Sequence, residues 1–194
     1  MSEGNRRRVA LVTGGSGGIG LAVAKALAST GHDVAITARD PEKGADAVAE
    51  IQALGARAHA VQMDVCNADD VNEAVAAIGA VLGAPLVVVN NAGVAGAKPF
   101  HALTVEDWDL SMDVNARGAF LVTQACLPAM VHNEWGRIVN VASTAGLEGV
   151  QARDDRPDAL PRARVRAQGH HGQLRLPGLR GDGDDAALDR EHRA

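Results

Sequence analysis

The chain has 194 residues, is 46% hydrophobic and carries a formal net charge of −5. That length accommodates one core of ordinary domain size, the acidic balance argues against a nucleic-acid partner, and no stretch is long and apolar enough to span a membrane. Met1 to Arg8 is polar and leads straight into an apolar run, so no signal peptide is expected. Cys66 and Cys126, far apart and without metal-ligand neighbours, suit a reducing cytoplasm and indicate no metal site.

Val9 to Val12 reads as a buried strand, and Leu21 to Ala28 as an amphipathic helix. Between them lies Thr13-Gly14-Gly15-Ser16-Gly17-Gly18-Ile19-Gly20. Glycine lets the backbone approach a pyrophosphate closely, and the unpaired amides of the following helix attract an anion, so this turn is a candidate nucleotide phosphate cradle. A glycine turn that only packs helix on strand is the plainer alternative.

Val34 to Ala38 follows as a second strand, then a helix over Pro41 to Leu54 capped by Asp40. Ala58 to Met63 is the third strand, Ala68 to Leu82 a helix with Asn67 or Asp69 as its cap, and Leu86 to Asn90 the fourth strand. The pattern then predicts one long helix over Thr104 to Val131 and a fifth strand over Ile138 to Val141. Trp108 and Trp135 are expected to pack that helix and its exit, and Met112 and Met130 to fill gaps in the core. His32 and His59 read as surface or strand-edge residues. Short, apolar, β-branched strands alternating with helices imply right-handed crossovers and a doubly wound parallel sheet, a Rossmann-like three-layer α/β/α domain over residues 1–150.

From Gln151 the composition changes abruptly. Of the last 44 residues, 9 are Arg, 7 Asp, 7 Ala and 5 Gly, Val165 is the one β-branched residue, and Pro157, Pro161 and Pro177 interrupt any helix. Such a segment cannot bury enough apolar area to offset its ordering entropy, so residues 151–194 are expected to be a disordered tail. Nine arginines against eight acidic residues leave it near neutral, which argues against an RNA-binding arm.

The first 150 residues resemble the short-chain dehydrogenase/reductase family, in particular bacterial 3-oxoacyl-carrier-protein reductases and polyketide ketoreductases. The resemblance rests on signatures in the family's order: Thr13-Gly14 with Gly18 and Gly20, Asp64-Val65, Asn90-Asn91-Ala92-Gly93, Asn115 within Val114 to Gly118, and Arg137 to Ser143. It implies a cofactor site built from Thr13, Gly14, Ser16, Gly18, Ile19, Gly20, Arg39, Asp64, Val65, Asn91, Ala92 and Gly93. Asp64 is placed against the adenine edge, with a strand-end cap as its plainer role. Asn90 begins the turn beside the adenine ribose, with a tie between strands as its other role.

A carboxylate about 20 residues beyond the glycines would bind the ribose hydroxyls of NAD and repel a 2′-phosphate. Ala38 stands there, followed by Arg39, whose guanidinium can take a phosphate in a charge-assisted fork. NADPH or NADP+ is therefore the expected cofactor, a solvated Arg39 being the alternative.

The chemistry the resemblance implies is reduction of a ketone or acyl thioester. Ser143 hydrogen-bonds the carbonyl, Asn115 fixes a water of a proton relay, and a Tyr-x-x-x-Lys pair delivers the proton. That pair is missing: Arg156 and Leu160 stand near its place, the chain contains no tyrosine, and no lysine follows Lys98. The composition break coincides with the loss, and a GC-rich coding sequence read out of frame explains both. Three readings follow: an NADPH-dependent reductase by ancestry that is inactive as written, a non-catalytic NADP(H)-binding protein, or an unstable frame-shifted product. The resemblance also implies a homo-oligomer, with no nucleic acid or membrane among its partners.

Overall fold

A computed structural model describes residues 7–143 apart from 97 and 99. The expected tail, residues 151–194, lies outside the described residues, as does the region of Arg156 and Leu160.

Five strands form one parallel sheet: β1 (Val9–Val12), β2 (Asp33–Thr37), β3 (Ala58–Val61), β4 (Pro85–Asn90) and β5 (Arg137–Asn140), in the order β3-β2-β1-β4-β5. The order reverses between β1 and β4, where Val12 lies beside Val89 and the carboxyl ends of the strands open a crevice. The helices are α1 (Gly18–Ser29), α2 (Pro41–Gln52), α3 (Ala68–Val81), α4 (Val105–Met112) and α5 (Gly118–His132). Alternation along β1 sorts the core. Val9 and Leu11 join Val71, Ile78, Val122 and Met130 under α3 and α5, whereas Ala10 and Val12 join Ala24, Ala28, Ala47 and Ile51 under α1 and α2.

The helix starts follow their caps. Asp40 Oδ1 accepts from the amides of Glu42 at 3.0 Å and Lys43 at 3.3 Å, with Pro41 opening α2. Asn67 rather than Asp69 caps α3, its Oδ1 accepting from Asp69 N at 2.9 Å and Asp70 N at 3.4 Å. At the opposite end of the sheet Arg57 staples three elements. Its Nε donates to Asp33 Oδ2 at 2.8 Å, its backbone N to Asp33 Oδ1 at 3.1 Å, and its Nη2 to Leu82 O at 2.8 Å, which satisfies a carbonyl at the end of α3.

The structure corrects the expected single helix over Thr104 to Val131. A π-helical turn, Asp113–Arg117, separates α4 from α5. Apolar spacing cannot report such an insertion, because the helix resumes with a shifted face. Two expected core positions are overturned as well: Trp108 is 64% exposed and Met112 45% exposed, and α4 buries no residue, whereas Met130 is buried as expected. Trp135 packs against the core as expected. β5 is mostly exposed, and it is the edge of the sheet among the described residues. No described helix is long and apolar enough to cross a membrane.

Candidate active site

The site starts from one threonine. Thr13 follows β1 almost fully buried, and its Oγ1 accepts from Asn91 N at 3.0 Å and Ala92 N at 2.9 Å while donating to Val89 O at 3.4 Å. A hydroxyl has one hydrogen and two lone pairs, so all its capacity is used to hold the turn after β4 against the turn after β1. Asn91 returns the contact, its Nδ2 donating to Thr13 O at 2.9 Å and Gly14 O at 3.3 Å. From the other side Thr37 fixes the glycine turn: its Oγ1 accepts from Gly14 N at 2.9 Å, and its carbonyl accepts from Gly15 N at 3.1 Å.

Two kinds of glycine follow. A Cβ on Gly20 would fall 2.4 Å from Gly14 O and 2.5 Å from Asn91 Nδ2, so Gly20 is required by packing. Gly18, at φ +53, would meet nothing within 4 Å; it serves conformation and leaves open space before α1. Gly17 supplies no side-chain cap, so the first amides of α1 are exposed with the positive end of the helix dipole. Stapled backbone, open space and uncapped amides together fit a nucleotide pyrophosphate.

Beyond the turn, Ala38 is buried at the end of β2 and Arg39 is exposed beside it. Asp64 is exposed and its Oδ1 accepts from Cys66 N at 2.9 Å, so it does act as a cap after β3. Burial first, then the Asp64 carboxylate, pushes the Cys66 thiol up from its ordinary range. Val65 is buried under the start of α5, where a Cβ on Gly118 would lie 2.8 Å from its Cγ2.

A cleft of about 1090 Å³ opens at the carboxyl ends of β1, β4 and β5. Thr13, Ile19, Val65, Asn91, Ala92, Gly93, Asn115 and Ser143 all line it. Gly14, Ser16, Gly18 and Gly20 lie in the adjoining turn, while Arg39 and Asp64 are not on its wall. Asn90, one strand residue before this turn, is 7% exposed and ties strand to helix: its Nδ2 donates to Thr123 Oγ1 at 3.1 Å and Asn140 Oδ1 at 2.8 Å.

Asn115 has a structural partner that the sequence did not indicate. It sits in the π-helical turn, where its Oδ1 accepts from Val94 N at 2.9 Å and its Nδ2 donates to Val94 O at 2.9 Å and Ser111 Oγ at 3.3 Å. The side chain is engaged in clamping the loop that forms one wall of the cleft. Gly93 allows the clamp, since a Cβ there would lie 3.0 Å from Asn115 Oδ1. Sequence reading missed the Val94 clamp and Thr37; a hydroxyl at a strand end facing a glycine turn was the available signal for the latter.

A family model described as short chain dehydrogenase matches residues 8–153. Over 144 residues, 73% of this chain, the sequence is 42% identical to 3-oxoacyl-[acyl-carrier-protein] reductase FabG of Aquifex aeolicus (strain VF5), of which it spans 58%. Two solved structures are each 38% identical over 74% of this chain. A metagenomic short-chain oxidoreductase in complex with NADP has a TM-score of 0.69 with 65% of its own chain covered. A single-residue variant of actinorhodin polyketide ketoreductase with NADPH has a TM-score of 0.71 with 56% covered. Family match, sheet order and the stapled glycine turn agree, and the chain belongs to the short-chain dehydrogenase family.

Proposed function

We propose that this chain is built to bind NADP(H) in an oxidoreductase site for a ketone or β-ketoacyl substrate, and that it reduces such substrates poorly. The observation that carries the reading is the open, uncapped glycine turn stapled by Thr13 and Asn91 at the mouth of the cleft that Ser143 lines. The first amides of α1 would hold the pyrophosphate, Asn91, Ala92 and Gly93 the adenine ribose, and Arg39 the 2′-phosphate where Ala38 offers no carboxylate. Two similar structures carry NADP or NADPH, which supports that choice.

NADPH, when bound, supplies the hydride. Ser143 would donate a hydrogen bond to the substrate carbonyl oxygen and orient it. Asn115 acts as a positioning residue, holding the Val94 wall through its paired hydrogen bonds. The chain contains no tyrosine, so no phenol can give a proton to the developing alkoxide. Losing a positioned general acid costs about 10²- to 10⁴-fold in rate. This favours the reading of a cofactor-binding protein with little turnover.

Nicotinamide fluorescence titration tests the reading. NADPH should bind more tightly than NADH, and Arg39→Ala should reduce that preference by roughly 1.5–3 kcal/mol, the worth of one charged contact. Equal affinities would remove Arg39 from the site, and binding of neither cofactor would refute the cradle. A β-keto ester assay at saturating NADPH should give negligible turnover; a rate near roughly 10 per second would refute the loss of activity. The exposed apolar residues of α4, Val105, Trp108 and Leu110, support association with a second copy, to be read by sedimentation.

A further inference from the structure

At the amino end of the sheet, opposite the cleft, two arginines lie over the ring of Trp135. Arg8 Cζ lies 4.0 Å from the indole centroid and Arg137 Cζ 4.8 Å. The geometry follows from the topology. Arg8 immediately precedes β1 and Arg137 opens β5, so the two flank the start of β4 from neighbouring strands, and Trp135 in the turn after α5 bridges them.

The indole is fixed in place. Trp135 N donates to Met130 O at 3.0 Å, the ring packs on the core, and Gly136 lets the chain pass against Met130, where a Cβ would fall 2.5 Å from Sδ. Stacking engages the faces of the guanidinium planes and leaves their N–H edges available. Among the described residues, Arg8 makes no side-chain hydrogen bond and neither arginine an ion pair, while Arg137 Nη1 donates only to Gly136 O at 2.7 Å. By contrast Arg57 and Arg117 each have a carboxylate partner. Two exposed cations are thus held at one indole without a counter-charge among the described residues, in a chain whose net charge is −5. The acidic residue nearest in sequence is Glu134, which ends its turn at φ +49 and makes no ion pair among the described residues.

We propose that Arg8, Trp135 and Arg137 form a docking point for an acidic segment of a partner protein, whose carboxylates engage the two guanidinium edges beside the indole. Tryptophan and arginine, pre-ordered and flanking one another, are the residues that concentrate binding energy at protein interfaces. Forked guanidinium edges match carboxylates better than point charges do. The site lies at the far end of the strands from the cleft, so its occupation is independent of cofactor binding.

The test uses the full chain carrying Trp108→Phe, which leaves Trp135 as the one remaining indole of the two in the sequence. Hexaglutamate should shift Trp135 emission saturably and more weakly as salt rises, whereas hexaglutamine should not. Arg8→Ala or Arg137→Ala should weaken hexaglutamate by about tenfold, and Arg137→Lys, which keeps the charge but loses the fork, by an intermediate factor. Melting curves for each variant separate lost binding from lost folding, and unchanged NADPH titration confirms that the cleft is untouched. No saturable shift, or equal binding by the double alanine variant, overturns the proposal. Inorganic phosphate at matched ionic strength reproducing the shift also overturns it, making this a small-anion site. So does a change in resting Trp135 emission on Asp182→Asn, Asp184→Asn and Asp185→Asn, which would show the chain's own acidic run in the site.

Discussion

Gly20→Ala sets local propensity against tertiary packing with opposite signs. Gly20 lies in the first turn of α1 with ordinary helical backbone, where alanine gains up to about 1 kcal/mol over glycine on propensity alone. In the folded protein the new Cβ would lie 2.4 Å from Gly14 O and 2.5 Å from Asn91 Nδ2. One neighbour is backbone and the other is an amide tied to Thr13 O and Gly14 O, so neither can swing aside. Overpacking of this kind costs roughly 1–3 kcal/mol, and disturbing the Asn91 bonds adds about 1 kcal/mol. The net expectation is a loss of about 2 kcal/mol, or roughly 4–8 °C in Tm for a domain near 150 residues. Urea unfolding measures it, with Gly79→Ala as control: that glycine lies inside α3 with nothing within 4 Å of a Cβ, and its replacement should stabilise by roughly 0.5–1 kcal/mol. In an Asn91→Ala background the cost at Gly20 should shrink, because one of the two close contacts is gone. A Gly20→Ala protein as stable as its parent, or more so, would refute the stapled geometry from which the cofactor site is argued.

Arg57→Ala should destabilise by about 3 kcal/mol in the same unfolding assay, since it leaves the buried Asp33 carboxylate without its cation and Leu82 O without its donor. Lys98 donating to both oxygens of Asp107, then the Thr104 amide, hold that carboxyl below its ordinary value of 3.8. Its contribution is therefore complete above pH 3.8 and lost as pH falls through the lower folded value, so Asp107→Asn should flatten the acid limb of a stability–pH curve. Burial pushes Cys126 up to about 12, so Ellman's reagent should modify the partly buried Cys66 first and Cys126 only on unfolding. From composition, limited proteolysis with mass spectrometry should give a core ending near Gly149, with cleavages throughout 151–194.

By itself the sequence determined the architecture and the position of the glycine turn, because both are written in local pattern. Alternation in Val9 to Val12 assigns each residue to one face of the sheet, and both resulting clusters are the ones observed. Asp40 and Asn67 declare their helices within three residues. Its composition also shows that no tyrosine is available to any site on this chain. What tertiary structure decided is the use of each polar group at the site. Thr13 meets Asn91 across 78 residues and Asn115 meets Val94 across 21, and no local period encodes either pairing. The π-helical turn that carries Asn115, and the exposure of Trp108 and Met112 on the helix before it, are likewise features that apolar spacing did not report. A side chain's periodicity fixes the direction in which it leaves its own element; what it meets there depends on elements placed by the rest of the chain.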